Sequence, residues 1–222
     1  MGFVFNNYDP CTANRWVNHK RQTIRFHVDD LMSSHVSPQV NDDFFKWLNS
    51  KYGSHGPVTC TRGKVHDYLG MVFDFSRAGK VVISMVDYMT KMIDEFPYKI
   101  DKIASTPATD DLFGEGSGSV LDKDMAKVFH TWVAKSLFAC KRARPDTHTA
   151  TTLLCTRVKS PNQDDWKKLL RLLEYIKGSL KDVLVLKADD LHVIKWYVDA
   201  SFAVHADFKS HTGAAMTYGS GA

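Results

Sequence analysis

Cysteine is scarce. The 222 residues hold four, at Cys11, Cys60, Cys140 and Cys155. None lies in a Cys-x-x-Cys pair or at metal-ligand spacing from a histidine, which excludes a disulfide scaffold and a zinc module. Free thiols in a reducing compartment are the expected state. Long apolar runs are also missing. The longest are a few residues, such as Val183–Leu186, far short of the ~18 that span a bilayer, so no membrane partner is expected. The N-terminus lacks a charged stretch followed by an apolar one, which excludes a secretory signal there. The expected location is intracellular, in cytoplasm or nucleus. No internal repeat is visible. The segment Gly114–Gly118 lacks the lysine and hydroxyl residue of a phosphate loop and does not sit between a strand and a helix.

What is present is ordinary globular material: 44% hydrophobic and 24% charged residues in 25.1 kDa. A chain of this size buries a sizeable core, as one domain or two. The net charge is +4, mildly basic. The charge is unevenly spread. Residues 135–181 carry eleven Lys or Arg against four acids, net +7, so the remainder is net negative. Such asymmetry fits either a polyanion-facing surface or a solvated helix face.

The first third reads as strands and one helix. Gln22–Val28 alternates, with Thr23, Arg25 and His27 on one face and Ile24, Phe26 and Val28 on the other, the period of a half-buried strand. Leu31–Val36 can return as its partner, which places Asp29 and Asp30 at a hairpin tip. Asn41 is a candidate cap for a helix with Phe44, Trp47 and Leu48 on one face, ending at Gly53. Lys64–Phe75 and Lys80–Ser84 read as further strands. A helix over Val86–Phe96 stops at Pro97. Residues 101–121, with Pro107 and few large apolar side chains, read as a linker.

Three helices follow. Asp122 caps one with Met125, Val128, Phe129, Trp132, Val133 and Leu137 at helical spacing. Pro145 opens the second, which runs to about Val158. Ser160 or Asn162 caps the third, with Trp166, Leu169, Leu170, Leu173 and Ile176 inward and Gly178 beyond its end. A strand-rich tail takes Val183–Leu186, Val193–Val198 and Thr212–Tyr218.

Three sets of residues could carry chemistry. Adjacent carboxylates Asp29 and Asp30 on a rigid turn are hard oxygen ligands suited to Mg²⁺, as two-metal phosphoryl transfer requires. The same pair also reads as a solvated turn, or as one arm of an iron site with His27 and His35. Asp199 ends an apolar strand and reads as a metal ligand or as a plain strand-end residue. The basic helices supply cations for a nucleic-acid backbone.

In their order and wording these segments resemble one family, the reverse transcriptase of copia-type LTR retrotransposons running into RNase H. Tyr8–Asn14 resembles the strand before its catalytic hairpin. Phe26–Leu31 resembles its Tyr-x-Asp-Asp box, with His27 in the place of the aromatic. Asp67–Met71, Met85–Phe96, Thr106–Pro107, Arg142–Asp146 and Trp166–Gly178 resemble its later motifs, and Tyr197–Ser201 with Lys209–Gly213 resembles the opening of its RNase H. The resemblance implies an α+β fold. A partial palm with the catalytic β-hairpin would take 1–84. Helical thumb and connection elements would take 85–181, with the flexible linker near 101–121. The opening strands of an RNase H-like domain would take 182–222.

It also implies an RNA-directed DNA polymerase. Asp29 and Asp30 would be its catalytic metal ligands and Asp199 the first RNase H ligand, with Mg²⁺ in a two-metal site and Mn²⁺ as a substitute. Lys141, Arg142, Arg144, Lys167, Lys168 and Arg171 would contact nucleic acid. The implied partners are an RNA/DNA template-primer, deoxynucleoside triphosphates and the rest of a Pol polyprotein. Against that family the chain lacks the earlier palm aspartate and the later RNase H acids, and Asp199–Ala200–Ser201 departs from the usual Asp-Ala-Asp. The expectation is a polyprotein fragment inactive by itself, or a non-catalytic nucleic-acid-binding module derived from one.

Overall fold

A computed structural model describes all residues except 115, 117, 191, 205–207 and 220–222. The chain divides into two compact units, Met1–Gly70 and Met71–Ala222.

The first unit is an antiparallel sheet, ordered β1 (Val4–Phe5), β2 (Thr12–Val17), β3 (Lys20–His27) and β4 (Asp30–Ser34), with one helix, α1 (Pro38–Tyr52). A short strand, β5 (Val65–Tyr68), follows. The alternation read in β3 is the one observed. Gln22 and Ile24 are buried, while Arg25 and His27 are exposed. Ile24 joins Ala13 and Phe44 in the core, with Phe3, Trp47 and Leu48 packed around them. The β2–β3 turn is the pair Asn18–His19, with φ of 50° and 59°. Two successive left-handed residues give a turn whose twist matches the strands it joins.

Asn41 is not the cap of α1. Ser37 precedes the helix and Pro38 opens it, where a missing N–H costs nothing. The Asn41 side chain instead accepts hydrogen bonds from Gln22 Nε2 (3.3 Å) and Ser33 Oγ (2.8 Å). Gln22 is fully buried and also accepts from Arg15 Nε at 2.6 Å. A polar network thus pins the helix to the sheet, because a buried amide must find partners for its donors and acceptor. The expected continuous strand over 64–75 breaks at Leu69 and Gly70, with φ of 54° and 73°.

In the second unit β6 (Met71–Asp74), β7 (Lys80–Ser84) and β8 (Leu184–Lys187) pair antiparallel. The helices are α2 (Val86–Asp94), α3 (Lys123–Cys140), α4 (His148–Arg157) and α5 (Gln163–Gly178). A strand from before the helices therefore pairs with one from after them, so the expected boundaries at 84/85 and 181/182 do not separate folding units. Pro145–Thr147 is a 3₁₀ turn ahead of α4.

Asp122 caps α3, accepting from the N–H groups of Asp124 (3.0 Å) and Met125 (2.8 Å). Asn162 caps α5 in a reciprocal box with Asp165. The unit's core is Met89, Met92, Phe129, Trp132, Val133, Leu154, Trp166, Leu169, Leu172, Leu173 and Ile176. Each large aliphatic side chain buried there contributes about 2 kcal/mol. The Trp132 indole N–H donates to Met92 O at 3.0 Å, so its polar atom is satisfied inside that core.

The stretch 101–121 is not the flexible linker expected. Residues 100–114, with 116 and 118–121, form a strap held along α5. Lys177 donates to Ile100 O (2.7 Å), the Ala104 N–H donates to Glu174 O (3.3 Å), and Arg171 holds both oxygens of Thr106. Lys168 donates to Gly114 O (3.0 Å). Ile100, Ala104, Leu112 and Leu121 are buried beneath it. Glu115 and Ser117, part of that expectation, lie outside the described residues. Gly178 is the last residue of α5 rather than a left-handed cap. A Cβ on it would meet Ile103 Cγ2 of the strap at 2.3 Å, so the missing side chain admits a neighbour.

The tail forms one hairpin, β9 (Lys195–Ser201) with β10 (His211–Thr217). Of the region expected as an RNase H start, residues 191, 205–207 and 220–222 lie outside the described part.

Candidate metal and nucleic-acid site

The Asp29–Asp30 pair does sit at a hairpin tip. In the β3–β4 register His27 faces Asp30, so the connecting residues are Val28 and Asp29. Asp30 is the first residue of β4 rather than part of the turn. Both carboxylates are exposed. Val28 adopts φ 54° and is 90% exposed. A left-handed β-branched residue is a genuine outlier and stores about 1–3 kcal/mol of strain. No packing of this open side chain offsets that strain. The geometry it buys is a two-residue reversal that carries adjacent acids on one rigid platform.

The neighbourhood of the tip was only partly legible in the sequence. Asp9, at the turn before β2, accepts from Thr12 Oγ1 (2.6 Å), the Cys11 N–H (3.0 Å) and Arg25 Nη2 (3.3 Å). The Thr12 hydroxyl first, then the Cys11 N–H and the Arg25 charge, hold its carboxyl below the usual range despite some desolvation. Asp30 accepts from the Leu69 N–H at 3.3 Å. Burial pushes the Tyr68 hydroxyl upward, with the Asp30 and Asp9 charges adding to it and Arg25 opposing. A small charged cluster of Asp9, Arg25, Asp30 and Tyr68 therefore surrounds the tip. The signal for Arg25 was its place on the His27 face of β3. Asp9 and Tyr68 fall within the Tyr8–Asn14 and Asp67–Met71 segments, but no sequence pattern singles out either as a neighbour of the tip.

As donors, the tip offers hard carboxylate oxygens of the type Mg²⁺ or Mn²⁺ takes. They would form one edge of a coordination shell. No group of three or more His, Cys, Asp or Glu placed to hold a metal ion occurs among the described residues. The iron alternative loses its second histidine, because His35 lies beyond the far end of β4 and its Nδ1 meets the Ser37 N–H at 3.0 Å.

Asp199 lies on β9 opposite Gly213. It is exposed, and its carboxylate accepts the adjacent Ala200 N–H at 2.9 Å. Burial pushes the Cys140 thiol up to about 11, which disfavours its thiolate.

The basic helices divide into used and available cations. Arg144 is 1% exposed, which removes it from the nucleic-acid set. Its guanidinium forks onto Asp146 (2.9 and 2.7 Å) and reaches Ser179 O (3.0 Å) and Oγ (2.7 Å). Arg142 stacks on the Phe138 ring at 3.6 Å and donates to Phe138 O. Lys168 and Arg171 hold the strap. Lys141 and Lys167 are exposed, although each has a polar neighbour, His148 at 2.9 Å and Asp164 at 3.0 Å. No helix among the described residues is long and apolar enough to cross a membrane.

The chain is similar in sequence to transposon-encoded proteins. It is 26% identical over 201 residues to a transposon Ty5-1 protein of Saccharomyces cerevisiae, covering 90% of this chain and 63% of that protein. It is 29% identical over 226 residues to the retrovirus-related Pol polyprotein from transposon TNT 1-94 of Nicotiana tabacum, covering 96% of this chain and 16% of that protein. The chain thus spans under two-thirds of the length of one relative and about a sixth of the other. These similarities support a relationship to retrotransposon Pol polyproteins. No family model and no solved structure matches.

Proposed function

We propose that the chain is a piece of the RNA-directed DNA polymerase of a retrotransposon Pol polyprotein. In this reading the first unit belongs to the palm, the helices of the second to a thumb and connection region, and the β9–β10 hairpin to the opening of an RNase H-like domain. The observation that carries it is the two-residue tip with adjacent exposed acids, in a chain similar to Pol sequence along nearly its whole length.

In this reading the residues take the following roles. Asp29 and Asp30 would bind Mg²⁺ through their carboxylate oxygens. A Mg²⁺ held by these carboxylates would supply charge neutralisation for phosphoryl transfer. Arg25, paired with Asp9, fixes the strand that leads into the tip. The Leu69 N–H orients the Asp30 carboxylate. Lys141 and Lys167 would face template-primer phosphates. Deoxynucleoside triphosphates would be the substrates of the whole enzyme, and Asp199 would serve the RNase H reaction.

Because no metal-holding group of three acids occurs among the described residues, the expected behaviour is that this chain binds a hybrid but does not extend it. The test is fluorescence anisotropy on an RNA–DNA primer-template, with primer extension alongside in Mg²⁺ and Mn²⁺. Salt-dependent binding without extension is expected. Absence of binding at low salt contradicts the proposal. Extension lost in Asp29→Ala would show that a further acid completes the site.

A further inference from the structure

The strongest unassigned feature is the β2–β3 hairpin. From Cys11 to Val28 there is no Asp or Glu, yet the segment holds Arg15, Lys20, Arg21 and Arg25 with His19 and His27. Register sorts these residues. Ala13 and Ile24 face the core beside Phe44, and Arg15 turns inward to Gln22 and the Phe3 ring. The opposite face takes Asn14, Trp16, Arg21, Thr23 and Arg25.

On that face Trp16 stands directly across from Arg21. Trp16 is 73% exposed, and Arg21 is exposed. No ion pair among the described residues engages Arg21 or Lys20. Directly opposed residues place their Cβ atoms about 5 Å apart, so a flat indole and an unneutralised guanidinium share one patch. Arg21 and His27 are six residues apart on β3, which puts this patch roughly 20 Å along the sheet from the acidic tip.

We infer that this patch binds a single strand of nucleic acid, one base stacking on Trp16 and a neighbouring phosphate on Arg21. The inference deepens the proposed function and rests on it. Charge selects the occupant. An acid-free basic hairpin complements a polyanion, and every base offers a π face to an aromatic platform. A second copy meeting the same patch would set two like-charged Trp16–Arg21 pairs against each other, since a two-fold interface is self-facing.

The test uses the whole chain, a fluorescein-labelled single-stranded oligonucleotide and an RNA–DNA hybrid, read by anisotropy over a salt series. Trp16→Ala should weaken single-strand binding roughly 5- to 100-fold, the loss of one stacked base. Trp16→Phe should restore most of it. Arg21→Gln should lower the salt slope by about 0.7. The urea midpoints should stay at the parent value, because both side chains are exposed.

If the parent chain binds and Trp16→Ala binds equally well, the inference fails and the nucleic-acid reading stands. If the parent binds neither oligonucleotide nor hybrid at low salt, both fail. Equal loss in Trp16→Phe and Trp16→Ala, or concentration-dependent dimers in place of oligonucleotide binding, would also overturn the stacking role.

Discussion

Arg144 shows how one buried side chain can organise a region. It ties the 3₁₀ turn at Asp146 to Ser179 after α5, and Tyr175 Oη donates to the same Asp146 carboxylate at 2.8 Å. Removing the guanidinium strands these partners, so Arg144→Met should cost about 2–4 kcal/mol in urea unfolding. The pH dependence has a definite sign. Burial raises the Asp146 pKa, but hydrogen bonds from Arg144 and Tyr175 and the Arg144 charge outweigh it, leaving the folded value below the ordinary 3.8. A depressed carboxyl contributes stability above its unfolded pKa and loses it as pH falls through the folded one. The parent should therefore lose stability below about pH 4 by an amount that Arg144→Met no longer shows, measured by urea midpoints across pH 2.5–6 (a range chosen to straddle roughly 3.9, the unperturbed aspartate value). Val28 makes the opposite case. Glycine adopts its φ without a Cβ clash, so Val28→Gly should stabilise the hairpin by about 1 kcal/mol. An unchanged or lower midpoint would mean the turn is not strained.

Among elements, the strap over α5 is the clearest departure from expectation. Its sequence reads as a loop because its backbone partners are scattered through a distant helix. Lys168 and Arg171 are expected from the sequence to contact nucleic acid, and Lys177 belongs to the same basic stretch, yet all three reach back to Gly114, Thr106 and Ile100. Strands and helices with a clean period were legible: β3 by alternation, α3 and α5 by their apolar stripes and by the caps Asp122 and Asn162. Buried polar contacts were not, because Gln22, Asn41 and Arg144 carry no periodic signature. The α5 cap joins both kinds of information. Asn162 accepts from the Asp164 and Asp165 N–H groups and donates to Gly116 O in the strap. Asn162→Ala should cost about 1–2 kcal/mol and speed amide exchange at Ala104 and Leu121, as seen by hydrogen exchange. Exchange at those amides that is fast already in the parent would contradict the strap's packing.

At the scale of the molecule, the chain joins two units that use their charged residues differently. The first presents acids on a strained tip and an acid-free basic hairpin. The second spends much of its positive charge on its own fold. The excess of cations over 135–181 is real in the sequence. Three-dimensional partners decide which of them remain available, and spacing alone could not show that Arg144 is internal. The candidate site was legible at Asp29 and Asp30 because a strand, a polar pair and a strand form a local pattern. Asp9 and Tyr68 come to it from outside that pattern. The central claim is that the two tip acids form a divalent-metal edge. Its most direct test is paramagnetic broadening of backbone amide NMR signals on titrating Mn²⁺ into the chain. Broadening should centre on Val28–Leu31 and disappear in the Asp29→Asn, Asp30→Asn double variant, while the rest of the spectrum stays unchanged. Broadening centred elsewhere, or unaltered by that substitution, would contradict the account.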